Sequence, residues 1–233
     1  MNINYLIGTC NDQDSEPTLR SVIRQVSPNS LVYLVDDFSE QEKIDRLFCV
    51  YRNLVLIQHK LTNDMAEQVN YALRLVPNDC WTCYLDGDEL VGPQFSEGIS
   101  EELFKANNKP TLLSQYFAHT LWGEKPGDVW GGPIAHCQKG YTFQAPELDL
   151  ARLIVDPTYP TEAGLQVWGD CRVRVWINKP DTFFSGVVHK MINKPTEWIC
   201  NNPKTVIQHH KHICRFAKRN PFYERLEREA KQN

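Results

Sequence analysis

No apolar run in this chain of 233 residues approaches the roughly 20 residues needed to cross a bilayer. Runs such as Leu31 to Val35 and Leu54 to Ile57 have the length of strands. The opening Met1-Asn2-Ile3-Asn4-Tyr5 lacks a basic region followed by an apolar one, so no secretory leader is expected and a cytoplasmic protein is the default. Positive charge is not in excess either. The formal net charge is -4, so no global field draws the chain to nucleic acid or to an anionic membrane, although a local basic patch could still serve an acceptor. There is no internal repeat and no low-complexity tract. A G-x-S-x-G elbow is missing, which excludes the common serine-hydrolase arrangement. Gly8-Thr9-Cys10-Asn11-Asp12 holds one glycine and no basic residue, so the glycine-rich, Arg/Lys-bearing phosphate loop of a nucleotidyltransferase is absent.

Cysteine is present but not in a pattern that makes a scaffold. The 8 cysteines fall partly inside apolar runs, where a reduced thiol behaves as a small hydrophobe, and without an export signal disulfides are not expected. Cys80-Trp81-Thr82-Cys83 has C-x-x-C spacing, but no second pair follows at zinc-ribbon distance. The remaining composition, 42% hydrophobic and 23% charged, is that of an ordinary globular chain. Its length suffices for one well-buried α/β domain, or a nucleotide-binding half plus a smaller acceptor half.

Strand and helix signals alternate through the first hundred residues. Short apolar strands are expected at Ile3 to Gly8, Leu31 to Val35, Leu54 to Gln58 and Trp81 to Leu85. Helical spacing marks Glu16 to Val26 and Gln41 to Tyr51, and a third helix is capped by Asp64, with Val69, Ala72, Leu73 and Val76 on its apolar face. Such alternation predicts a mostly parallel, doubly wound sheet, which binds its ligands beyond the carboxyl ends of its strands. The polar clusters stand at those ends: Thr9-Cys10-Asn11, Asp36-Asp37 and Asp86-Gly87-Asp88-Glu89. Beyond Pro93 the pattern changes, with a helix expected at Glu97 to Lys105 and strands at Thr111 to His119 and Val173 to Ile177. The Gly-, Pro- and Trp-rich stretch Leu121 to Pro133 reads as a loop near a cleft, and the basic tail from Ile213 as a solvated helical end.

Asp86-Gly87-Asp88 places two carboxylates at i and i+2 beyond a buried strand. A carboxylate pair suits a hard cation, Mn²⁺ or Mg²⁺, that shares its shell with diphosphate oxygens; the alternative is a surface Asp-Gly turn. Val35-Asp36-Asp37-Phe38-Ser39 and Leu85-Asp86-Gly87-Asp88-Glu89 resemble the valine-aspartate-aspartate-x-serine and DxD motifs of glycosyltransferase family 2. The DxDE form is similar to a subgroup that includes lipopolysaccharide-core and peptide glycosyltransferases. Asn63 to Leu73 is similar to the helix before that motif, with Asp64 where a glycine is common. Arg172-Val173-Arg174-Val175-Trp176 and Phe184-Ser185-Gly186-Val187-Val188-His189 look like the subgroup's arginine-rich strand and glycine-x-x-histidine element, with Lys190 where the family usually has Glu. Ile207 to His210 and the segment around Tyr223 loosely resemble its ending.

This resemblance implies a GT-A fold: a Rossmann-like, mostly parallel sheet with a nucleotide-sugar-binding half at 1–93 and an acceptor-side half at 94–233, in one compact domain. It implies that Asp37 bonds the nucleobase, that backbone around Thr9, Cys10 and Asn11 lines the same pocket, and that Asp86 and Gly87 face the ribose or the metal shell. Asp88 and His189 would then hold Mn²⁺ or Mg²⁺, and Arg172, Arg174 and Lys190 would lie on the acceptor or phosphate side. An inverting transfer needs a carboxylate to take the acceptor's proton. The candidates are Glu147, Asp149 and Asp170, with Asp170 favoured because it precedes the arginine strand.

His209-His210-Lys211-His212-x-Cys214 lacks the spacing of a tetrahedral zinc finger. It is read as an exposed polar helix start, or else as a basic patch that contacts the diphosphate or lies on the acceptor side. Trp122, Trp130, Trp168 and Trp176 could stack on sugars, but core packing is the simpler role for each. The expected activity is therefore metal-dependent transfer from a nucleoside diphosphate sugar, UDP-sugar favoured, to a saccharide, peptide or lipid-linked glycan. A modified nucleic-acid base ranks lower as acceptor. The alternatives are a nucleotidyltransferase and a non-catalytic binding module that kept the fold.

Overall fold

The computed structural model describes residues 2–10, 15–62, 64–106, 113–122, 166–186, 191–194, 198–199, 202–205, 207–212, 224–225 and 228–229; for 113–122, 166–172, 198–199, 203, 208 and 210–212 it describes the backbone only. In chain order the first elements are β1 (Ile3–Thr9), α1 (Glu16–Ile23), β2 (Val32–Asp36), α2 (Gln41–Val50), β3 (Leu54–Gln58), α3 (Met65–Leu73), β4 (Trp81–Leu85), β5 (Glu89–Val91) and α4 (Phe95–Lys105). They are followed by β6 (Leu113–Trp122), β7 (Gln166–Ile177), β8 (Phe184–Ser185), β9 (Met191–Ile192), β10 (Trp198–Ile199) and β11 (Ile207–His212). The strands expected in the first half stand where the periodicity put them, within a residue or two. Asp64 caps α3 as expected, accepting the Ala66 N–H at 2.8 Å.

The fold class is α/β with a mostly parallel sheet. Among the described residues the main sheet runs β3-β2-β1-β4-β7-β6-β11-β5, with β10 also on β6, and β8 and β9 form a separate pair. β3, β2, β1 and β4 are parallel; β7 enters antiparallel to both β4 and β6, and β5 is antiparallel to β11.

Strand parity explains why β1 shows no apolar–polar alternation. Ile3, Tyr5 and Ile7 face a core built with Leu19 and Val22 of α1, Ile44 and Leu47 of α2, and Phe95, Ile99 and Leu103 of α4. Leu6 faces a second core with Tyr33, Val35, Tyr84 and Trp176, closed by Ala66, Val69, Ala72 and Leu73 of α3. A strand covered on both sides buries every side chain, so its sequence does not alternate.

Several expectations change in extent. The first helix stops at Ile23, short of Val26, and β7 begins at Gln166, well before Val173. Leu121 and Trp122, expected in a loop, end β6. The rest of that loop lies outside the described residues, as does most of the basic tail. The histidine-rich stretch is not an exposed helix start. It is β11, hydrogen-bonded between β6 and β5, with His209 only 7% exposed. The strand was hidden because five polar residues in succession, Gln208 to His212, carry no apolar period for a local reading to detect.

Candidate functional site

The carboxyl ends of β1, β2 and β4 meet at one edge of the sheet. Parallel pairing sets Gly8 beside Val35 and Ile7 beside Leu85, so the turns that follow these strands emerge together. The Asp37 N–H donates to the Thr9 carbonyl at 3.1 Å, tying the β1 and β2 ends. Asp37 Oδ1 accepts the Leu61 N–H at 2.7 Å, which anchors the segment after β3 to the same edge. Thr9 is buried and its hydroxyl accepts from Ser15 at 2.7 Å; the Cys10 carbonyl accepts from the Lys43 ammonium. Between Asp37 and Ser39, Phe38 is 58% exposed with φ 48°, a left-handed backbone that a side chain makes unfavourable.

The acidic turn after β4 is closed from both sides. The Glu89 N–H donates to the Asp86 carbonyl at 3.0 Å, and the Glu89 carboxylate accepts the Asp86 N–H through Oε2 at 2.9 Å. Tyr84 donates its hydroxyl to Asp86 Oδ1 at 2.7 Å. Arg174 Nη2 donates to Asp86 Oδ2 at 2.9 Å and to Glu89 Oε1 at 2.5 Å, and its guanidinium lies 5.2 Å from the centre of the Tyr84 ring. Gly8 makes room for this network: a Cβ there would stand 3.0 Å from the Tyr84 hydroxyl.

Glu89 is fully buried and Arg174 is 4% exposed. Burial pushes the Glu89 carboxyl upward, the Arg174 guanidinium pulls it back, and Asp86 adds to the rise. Burial also works against the Arg174 charge, but Glu89 and then Asp86 outweigh it and hold the guanidinium proton more tightly than usual. Arg174, expected towards the acceptor or phosphate, thus contacts the acidic turn itself. Its partner in that expectation, Arg172, is paired with Gln115 across β6 and β7.

Asp88, the other acidic residue of the turn, meets His209. Nε2 of the imidazole stands 3.2 Å from Asp88 Oδ1. The cause is register: β5 and β11 pair with Glu89 opposite His209, so the residue just before Glu89 comes within reach of that imidazole. Sequence reasoning offered His209 only as part of a basic patch on the diphosphate or acceptor side and not as a partner of Asp88. The signal available was its place three residues into a run that resembled the family's ending.

Asp88 and His209 offer one carboxylate oxygen and one imidazole nitrogen. Among the described residues no group of three or more His, Cys, Asp or Glu side chains converges as a metal cage. A two-donor protein set fits a cation that arrives with phosphate oxygens and water completing its shell, and the nitrogen donor leans towards Mn²⁺ over Mg²⁺.

Asp170 lies on β7, paired with Phe117 of β6. Since Val175 is opposite Cys83 in the antiparallel β4–β7 pair, position 170 falls beyond the carboxyl end of β4, on the side of the acidic turn. Asn11, Glu147, Asp149, His189 and Lys190 lie outside the described residues. Trp176 is core, fully buried and edge-on to Phe184 at 5.3 Å between ring centres. Among the described residues no helix is long and apolar enough to cross a membrane.

The sequence matches no family model and no curated protein. Among solved structures, those of S. aureus TarS are similar at low level. The TarS crystal structure has a TM-score of 0.39 at 18% identity, covering 57% of this chain and 23% of TarS. TarS 1-349 in complex with UDP-GlcNAc has a TM-score of 0.38 at 18% identity, covering 53% and 35%. The complex of the same fragment with UDP has 0.39 at 18%, covering 53% and 36%. This chain spans well under half the length of each.

Proposed function

We propose that this chain is a metal-dependent glycosyltransferase of the GT-A type that uses a nucleoside diphosphate sugar, with UDP-sugar favoured. The observation that carries the reading is the meeting of Asp88 with His209 at the strand edge that also carries Asp37. A carboxylate–imidazole pair beside a base-binding carboxylate is what a donor with a nucleobase at one end and a diphosphate at the other requires.

In this reading Asp37, held by Leu61 and Thr9, takes a base N–H on its carboxylate. Backbone at Thr9 and Cys10 lines the base, with Asn11 continuing that wall, and Asp86 and Gly87 face the ribose side. Asp88 and His209 would hold the divalent cation, with His189 a further ligand on the strength of the glycine-x-x-histidine resemblance. That cation, when bound, supplies charge neutralisation of the departing diphosphate. The acceptor hydroxyl oxygen forms a bond to the anomeric carbon as the bond from that carbon to the diphosphate oxygen breaks. The hydroxyl proton passes to a carboxylate, and the nucleoside diphosphate leaves with the bonding pair. Asp170 is the favoured base because β7 carries it past the end of β4; Glu147 and Asp149 are the alternatives. Arg172 and Lys190 serve the acceptor or phosphate side, the acceptor being a saccharide, a peptide or a lipid-linked glycan.

The test is a thermal-shift panel of nucleoside diphosphates and their sugars with Mn²⁺, Mg²⁺ or a chelator. Ligands that bind only the native state raise its apparent stability. The expected result is a shift with one nucleobase that needs the metal and disappears in Asp88→Ala. A metal-dependent shift that survives Asp88→Ala would overturn the metal assignment.

A further inference from the structure

Arg174 occupies an unusual place in the sheet. Between β6 and β7 the register moves from Leu113 opposite Val175 to Ser114 opposite Val173. Arg174 therefore has no opposite residue on β6, the mark of a β-bulge, a device that re-aims a side chain and is frequent beside active sites. On the other flank, continuing the β4–β7 register one step past Cys83 opposite Val175 brings Arg174 level with Tyr84, and the guanidinium lies against that ring. From there one nitrogen reaches both carboxylates that flank the turn, Asp86 and Glu89. Strand β7 comes from the second half of the chain and the turn from the first, so this contact joins them where the donor would bind.

We propose that Arg174 is the positioning residue of the acidic turn: it holds Asp86 and Glu89 as a pair, and thereby sets Asp88 against His209. This rests on the donor-site reading above. The physical argument is one of geometry and charge. Three carboxylates within four residues repel one another, and a turn of this length has several backbone solutions. A buried guanidinium that lies against the Tyr84 ring, with one nitrogen held between the two carboxylates, selects the one in which Asp86 and Glu89 converge on it. The turn's own two hydrogen bonds, Asp86 to Glu89 and back, then lock the peptide planes, and Asp88 projects between them towards β11. Tyr84 fixes the remaining oxygen of Asp86. A lysine carries the same charge without the flat group that lies against Tyr84, so it would hold the turn only in part.

Mn²⁺ binding in the presence of UDP, read from the free-ion electron paramagnetic resonance signal of the full chain, tests this without any turnover. The variants are Asp88→Asn, Arg174→Lys, Arg174→Met and the double variant Arg174→Met with Glu89→Met. The double variant replaces both members of the buried pair with apolar side chains, which keeps a folded protein for study if the single Arg174→Met does not fold. Cooperative thermal melts confirm folding of each. The expected result is loss of binding in Asp88→Asn, at least tenfold weaker Mn²⁺ affinity in the folded Arg174→Met or double variant, and an intermediate value for Arg174→Lys. A folded double variant within twofold of the parent, with Asp88→Asn still defective, would overturn the role of Arg174 while leaving the donor site in place. A parent chain that binds no Mn²⁺ with UDP or any other nucleoside diphosphate overturns both.

Discussion

His209 Nε2 and Asp88 Oδ1 face one another at 3.2 Å where two antiparallel strands far apart in the chain, β11 and β5, meet. β5 is only three residues long, yet it carries the end of the acidic turn into the middle of a network that no neighbouring stretch of sequence could supply. The pair is expected to act as a unit. His209→Ala should weaken metal-dependent nucleotide binding by at least tenfold, as Asp88→Asn should, and combining the two should add little, because residues that share one ligand are not additive. Isothermal titration with UDP and Mn²⁺ in all four proteins decides it. Full additivity would mean that the two side chains serve separate ligands.

Gly98 lies where α4 packs on the short turn Pro203–Thr205. A Cβ at this position would stand 2.7 Å from Lys204 Cβ and 2.8 Å from Thr205 Cγ2. Alanine improves the intrinsic propensity of a helix interior by about 1 kcal/mol over glycine. Here overpacking wins, because the atoms it meets lie close to the backbone rather than at a flexible end. Gly98→Ala should lose about 1–3 kcal/mol of stability, measured by urea unfolding. An unchanged or higher midpoint would show that α4 and this turn can separate without loss.

Phe38 should be a strained residue. Its φ of 48° lies in the left-handed region, and its ring is exposed rather than repaid by core packing. Phe38→Gly should raise stability by roughly 1 kcal/mol through release of that strain. If the ring contributes to the donor site, the same variant loses nucleotide affinity, since strained residues gather at ligand sites. Chemical denaturation reads the first effect and nucleotide titration the second.

Burial pushes the Cys83 thiol and the Tyr5 phenol above their ordinary values, Cys83 with no exposed surface and Tyr5 at the heart of the first core. Above pH 9 the unfolded chain releases these protons and the folded chain keeps them. The unfolded state then binds fewer protons, so stability falls as pH rises. For Cys83 alone the fall approaches about 1.4 kcal/mol per pH unit above the ordinary thiol value. Cys83→Ala should therefore flatten the decline between pH 9 and 10.5 in urea midpoints. In the same window iodoacetamide should modify the exposed Cys49 and spare Cys83; equal labelling of both would contradict the burial.

Local sequence determined a good deal of this protein. Strands β1 to β4 and the helices between them follow from apolar runs of strand length and from 3.6-residue spacing, because a sheet covered on both faces needs both. The Asp64 cap was legible from its side chain, and the clustering of Asp37 and Asp86 at strand ends from their position after apolar runs. The place of Arg174 was not legible. Its charge suggested a phosphate, whereas the bulge in β7 turned it inward onto Asp86 and Glu89. Nor could the meeting of His209 with Asp88 be recognised, since five polar residues in a row have no period to reveal a strand.

Both depend on which strands pair and in what register. Register is set by contacts between segments far apart in the chain, where loop-closure entropy and the packing of two cores decide among alternatives that every local window leaves equal. The sequence by itself therefore determined the elements of the first half and the edge at which its acidic strand ends gather. Tertiary structure alone decided that Arg174 faces the acidic turn and that Asp88 meets a histidine from the last strand of the sheet.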